Sequence, residues 1–140
     1  MTVTDASVWV SRFLPDDEFH EISRAWLKSV AGAGLPLFAP SHVLAEVAGA
    51  VTRRTGRTGY GYAVAQRIQQ VPTLQLVAIN VEIGDFAAEV ASSYRLRGSD
   101  ALYAAVAHQL NVSLVSWDKE QMTRITGFIT AYRPDEHIGQ

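Results

Sequence analysis

Cysteine is missing from the 140 residues, which removes disulfides, thiolate metal sites and cysteine nucleophiles together and fits a reducing compartment. Long apolar runs are missing as well. No stretch approaches the roughly 18 residues that cross a bilayer. An acid stands at Asp5 with no basic segment leading into an apolar one, so neither a membrane span nor a secretory leader is expected. Basic charge is in no excess: 12 Lys and Arg face 14 Asp and Glu, a net charge of −2. Any hold on nucleic acid must therefore come from a local basic patch or from bound metal. Repeats and low-complexity tracts are absent too. What is present, 48% hydrophobic and 19% charged residues, suits one globular domain over residues 1–140 with a single core. A cytoplasmic protein is expected.

Along the chain, strand and helix signals alternate. A β-branched segment predicts a first strand at about residues 2 to 5, with Asp5 at its carboxyl end. After a turn at Pro15, Asp16 and Asp17, the residues Phe19, Ile22, Trp26 and Val30 recur at helical intervals until Gly32 and Gly34. Residues 35–38 predict a second strand, and Pro40 and Ser41 start a helix with a buried stripe of Val43, Leu44, Val47 and Val51. The basic, glycine-rich segment 53–62 forms the tip of a helical hairpin whose second helix carries Tyr60, Val64, Ile68 and Val71. Residues 74–78 predict a third strand, and Ile83, Phe86, Val90 and Tyr94 a long helix. Asp100 opens the next helix, buried through Leu102, Tyr103, Val106 and Leu110, with further strands at 112–116 and 128–132. Strands separated by helices give the α/β class, a parallel sheet covered on both faces, because each parallel connection needs a crossover.

Four carboxylates stand apart in this pattern: Asp5, Glu46, Asp100 and Asp118. Hard cations such as Mg²⁺ and Mn²⁺ take oxygen ligands, and an open parallel sheet gathers distant groups at the carboxyl ends of its strands. Asp5, Asp100 and Asp118 are equally readable as helix N-caps. Glu46 is harder to explain that way, since it has Leu44, Ala45, Val47 and Ala48 around it and an acid among apolar residues needs a partner. Two carboxylates about 4 Å apart repel by roughly 4 kcal/mol at an effective dielectric near 20. An empty cluster is therefore expected to be loose or partly protonated. Ser7 and Ser116 lie two residues from Asp5 and Asp118, as supports for a carboxylate or as turn residues. His42 is left outside the ligand set, as a surface or satisfied histidine.

The segments T-D-A-S-V at 4–8, P-S-H-V-L-A-E-V at 40–47, G-S-D-A-L-Y-A-A-V-A at 98–107 and L-V-S-W-D at 114–118 together resemble the PIN-domain ribonucleases, and more narrowly the VapC-type toxins. The likeness covers nearly the whole chain, in order and spacing. It implies a three-layer α/β/α fold with a central parallel sheet. It also implies a quartet of Asp5, Glu46, Asp100 and Asp118 that binds Mg²⁺ or Mn²⁺ to cleave RNA phosphodiesters, with Ser116 in the place of the family's supporting Ser or Thr. An RNA substrate, a cognate antitoxin protein and a homodimer follow from the same resemblance.

Basic groups at the margin of such a site should hold flanking phosphates, and Arg53, Arg54, Arg57, Arg95 and Arg97 are the candidates. Trp9, Phe13, Phe19 and Trp26 serve core packing or an apolar groove for an antitoxin helix. Three other readings compete: a catalytically silent PIN-like binding domain, a non-enzymatic interaction domain with structural metal ligands, and an aspartate phosphotransfer domain. A phosphatase of the last kind wants a second Asp two residues beyond the first, where Ser7 stands. A receiver wants a strand-end lysine, whereas the only lysines are Lys28 and Lys119.

Overall fold

The computed structural model describes residues 1–137. Five strands, β1 (Thr2–Thr4), β2 (Leu37–Pro40), β3 (Leu74–Val77), β4 (Ser113–Val115) and β5 (Ala131–Tyr132), form one all-parallel sheet in the order β3-β2-β1-β4-β5. In register, Val3 stands between Phe38 and Leu114. Both flanks of the central strand are therefore apolar, as expected where helices cover both faces.

Seven helices connect the strands among the described residues: α1 (Ala6–Phe13), α2 (His20–Gly32), α3 (Val43–Thr55), α4 (Tyr60–Gln69), α5 (Val81–Tyr94), α6 (Gly98–Leu110) and α7 (Lys119–Arg124). The chain steps from β1 to β2 to β3 in one direction, then returns across the sheet to β4. Right-handed crossovers put α1 to α4 on one face and α5 and α6 on the other, which gives three layers. Helix α1 packs on α2 and α3, α3 on α4, and α5 on α6, while α6 lies against β1, β2 and β4. Reversal of direction at β1 leaves a crevice between the carboxyl ends of β1 and β4, the place where open α/β sheets bind ligands.

Strand boundaries differ from the sequence reading for one recurring reason. Just past helix α2, Gly34 adopts the left-handed region (φ 68°), with the Leu35 N–H bonded back to the Val30 carbonyl. This closure occupies Leu35, so β2 starts at Leu37. Asn111 (φ 55°) closes α6 in the same way, taking Val112 out of β4. A turn through Gly127 shortens β5 at its start. Helix α6 also corrects the expected stripe: Leu110 is exposed and Leu102 only partly covered, while Ala101, Ala104, Ala105 and Ala107 are buried with Tyr103 and Val106. Small alanines let this helix approach the sheet closely, so it is covered nearly all round.

Candidate active site

Each acid reaches the site from a different segment. Asp5 leaves β1 and caps α1, accepting the Ser7 N–H at 3.2 Å. Asp118 follows β4 and caps α7, accepting the Gln121 N–H at 3.0 Å. Glu46 lies in the first turn of α3. Asp100 does not open its helix as expected: Arg97 is the N-cap of α6, and Asp100 sits inside the first turn. All four line one cleft of about 450 Å³, together with Ser7, Asp17, Phe19, Trp117 and three arginines. The fold thus brings the four sequence-expected acids together.

Their side chains are held unequally. Ser116 donates to Asp5 Oδ2 at 3.0 Å, accepts the Asp118 N–H at 3.0 Å, and stands 3.4 Å from the Ser7 hydroxyl. Ser7 also accepts the Trp117 N–H at 3.0 Å, so the two serines join β1 to the β4 exit. Glu46 is gripped at both oxygens: the Tyr103 hydroxyl donates to Oε1 at 2.6 Å and the Ser99 hydroxyl to Oε2 at 2.9 Å. Because the single Ser99 proton goes to Glu46, His42 Nε2, 2.9 Å away, is the donor to Ser99. That leaves His42 Nδ1 buried without a partner. Burial lowers the pKa of His42, against the pull of Glu46 and Ser99, which keeps the ring neutral. Among the described residues, none hydrogen-bonds the Asp100 carboxylate.

Electrostatics separates the acids further. Burial pushes Asp5 up to about 6, with Glu46 adding to the rise and bonds from Ser7 and Ser116 opposing it. Asp100 is also pushed up to about 6, first by burial and then by Asp5, Asp118 and Glu46, with Arg97 opposing. Burial first, with the repulsion expected of a carboxylate cluster adding to it, thus partly protonates two members near neutral pH. Burial and the adjacent Asp5 and Glu46 hold the Tyr103 phenol far above its usual range, so it remains a donor. Among the described residues, no three His, Cys, Asp or Glu side chains are grouped closely enough to hold a metal ion as they stand. The donor set, carboxylate oxygens with serine hydroxyls beside them, nevertheless has the chemistry of a hard-cation site.

Of the five arginines singled out, Arg53, Arg54 and Arg97 line the cleft. Arg54 is paired with Asp17 at 2.8 Å, and Asp17 also accepts the Phe19 N–H at 2.8 Å. The other two are placed elsewhere. Arg57 lies over the Tyr60 ring at 4.1 Å, and Arg95 adopts φ 56° to close α5, its carbonyl taken by Arg124. Trp9 and Trp26 belong to the core. Phe19 stacks on Trp117, ring centroids 3.9 Å apart, with both rings on the cleft wall.

Sequence reasoning missed Ser99, Tyr103 and Gln121. Tyr103 was read only as a core residue, although it lies one helical turn after Ser99 and Asp100. Gln121, three residues after the capping Asp118, had a readable signal, because an N-cap followed at that spacing by Gln marks a helix start.

A search of the curated proteins found no match. Solved structures with the same fold include the VapC20 toxin of Mycobacterium tuberculosis, described as sarcin-ricin loop cleaving. It is 18% identical, with a TM-score of 0.76 over 96% of this chain and 100% of that one. A toxin-antitoxin complex from Klebsiella pneumoniae is similar at 16% identity and a TM-score of 0.67, covering 98% and 100%. VapBC2 from Rickettsia felis, solved on a promoter DNA fragment, reaches 15% identity and 0.69, covering 94% and 97%. Residues 2–127 match the family model of the PIN domain. That match spans β1 through α7 and all four acids of the cleft, and the chain belongs to the PIN domain family.

Proposed function

We propose that this chain is a divalent-metal-dependent ribonuclease, a single PIN domain acting in the cytoplasm as the toxin of a toxin-antitoxin pair. The observation that carries the reading is the convergence of Asp5, Glu46, Asp100 and Asp118, from four separate segments, on one cleft at the sheet's switch point. Raised Asp5 and Asp100 add to it, since an anionic cluster in want of positive charge suits a cation. The sarcin-ricin loop cleavage described for VapC20 supports RNA as substrate, and the Klebsiella complex supports a protein antitoxin. A homodimer accompanies this reading as an expectation from the family.

Asp5, Asp100, Asp118 and Glu46 would hold Mg²⁺ or Mn²⁺. When bound, such an ion supplies Lewis acidity toward a phosphate oxygen and lowers the pKa of water. The protein's own groups do the arranging. Ser7 and Ser116 orient Asp5, while Tyr103 and Ser99 keep Glu46 facing one way with neutral donors that leave its charge intact. The Asp100 carboxylate, which no described residue hydrogen-bonds, can turn toward an incoming cation. Arg53 and Arg97 stand where flanking phosphates would lie. Arg54 would exchange Asp17 for a phosphate.

The test is RNA incubated with Mg²⁺ or Mn²⁺ and wild-type protein or Asp5→Asn, with the cut ends sequenced. The expected result is metal-dependent cuts bearing 5′-phosphate and 3′-hydroxyl ends, lost in the variant. Equal cutting by both proteins would trace the activity to a contaminant and favour the catalytically silent reading, to which the open spacing of the acids also lends weight.

A further inference from the structure

Gln121 is 2% exposed, and its side-chain amide and main-chain N–H serve the candidate site. Its Oε1 accepts from the Ser116 hydroxyl at 3.2 Å, its Nε2 donates to the Asp100 carbonyl oxygen at 3.2 Å, and its main-chain N–H donates to Asp118 Oδ1 at 3.0 Å. The single Ser116 proton is shared between two acceptors, Asp5 Oδ2 at 3.0 Å and Gln121 Oε1 at 3.2 Å. Gln121 therefore touches the segments that carry Asp100 and Asp118, and reaches Asp5 through Ser116.

The choice of glutamine follows from charge. The site needs a brace that accepts from a hydroxyl and donates to a carbonyl, buried beside carboxylates that already repel one another. Glu would add another anion there, and Lys or Arg would pair with a carboxylate in place of a cation. A neutral amide of this length does both jobs without altering the charge. The brace is needed most at Asp100, whose own carboxylate is unfixed and is pushed by Asp5, Asp118 and Glu46.

We propose that Gln121 is a positioning residue for cation capture, locking the first turn of α6 to the β4–α7 junction so that Asp5, Asp100 and Asp118 face a common ion. This rests on the metal-dependent nuclease reading. Gln121 acts through the acids and touches no reacting atom.

The experiment measures Mn²⁺ binding by the electron paramagnetic resonance of free Mn²⁺, for wild type, Gln121→Met and Gln121→Asn, with thermal unfolding in parallel. Met matches the volume without the hydrogen bonds. Asn keeps a shortened amide and is the milder variant should Met fail to fold. The Mn²⁺ Kd should rise by about tenfold or more in Gln121→Met and by less in Gln121→Asn. RNA cleavage should recover as Mn²⁺ approaches saturation. A lowered Tm with an unchanged Mn²⁺ Kd in the folded variants overturns the inference and leaves the nuclease reading standing. Wild-type protein that takes up no Mn²⁺ removes the metal site and this inference together.

Discussion

Replacing Asp5 with Asn should stabilise the metal-free protein while destroying its proposed activity. Asp5 is buried, and its pKa is raised from 3.8 to about 6. A folded-state pKa above the unfolded one means that the native state holds a proton the unfolded chain has lost. Stability is therefore greatest below about pH 4 and falls as pH rises through about 6. At about 1.4 kcal/mol per pH unit, the ionised carboxylate costs the native state about 3 kcal/mol above neutrality. Asn caps α1 as well as Asp does, but its amide must find acceptors among the Ser7 and Ser116 hydroxyls, an offset of about 1 kcal/mol. The net gain of about 2 kcal/mol corresponds to roughly 4–8 °C in Tm for a domain of this size. Circular dichroism melts with chelator at about pH 7.5 and pH 5 read it directly, with the gain present at the first and nearly gone at the second. A variant less stable than wild type at the higher pH, or a gain equal at both, would refute the electrostatic reasoning.

Other outcomes follow from the same structure. In Gly61→Ala, a Cβ would lie 1.8 Å from the Ala48 carbonyl oxygen where α4 crosses α3. Neither backbone can yield, so a loss of about 2–4 kcal/mol is expected in urea unfolding. Tyr103→Phe removes the 2.6 Å bond to Glu46 and should cost about 1 kcal/mol in thermal unfolding, because partly exposed Glu46 regains water. Its cleavage rate at limiting Mn²⁺ should fall about tenfold. Arg97→Ala should weaken RNA binding and reduce the slope of log affinity against log salt by about 0.7, while Arg57→Ala, outside the cleft, should leave both unchanged in a filter-binding titration.

Much of this arrangement was legible in residue order alone. Apolar strands alternating with amphipathic helices implied a parallel sheet, and three of the four acids, at strand ends or helix starts, implied one rim. What escaped was decided by tertiary packing. Leu110 fits a helical stripe yet is exposed, because the alanines of α6 set which side meets the sheet. Arg95 and Arg97 both closely precede Asp100, but the left-handed backbone of Arg95 turns the chain there, and of the two it is Arg97 that lines the cleft. Glu46 looked uncompensated among apolar neighbours. Its partners, Ser99 and Tyr103, are more than 50 residues away on α6, a separation no local pattern spans.

The account stands most directly on whether the four carboxylates jointly bind a divalent ion. Mn²⁺ titration of wild type, Asp5→Asn, Glu46→Gln, Asp100→Asn and Asp118→Asn, with exposed Glu89→Gln as control, measures this without RNA. The prediction is uptake by wild type and the control, and a Kd weakened by about tenfold or more in each of the four variants. Wild type that binds no Mn²⁺, or binding that all four substitutions leave unchanged, would contradict it.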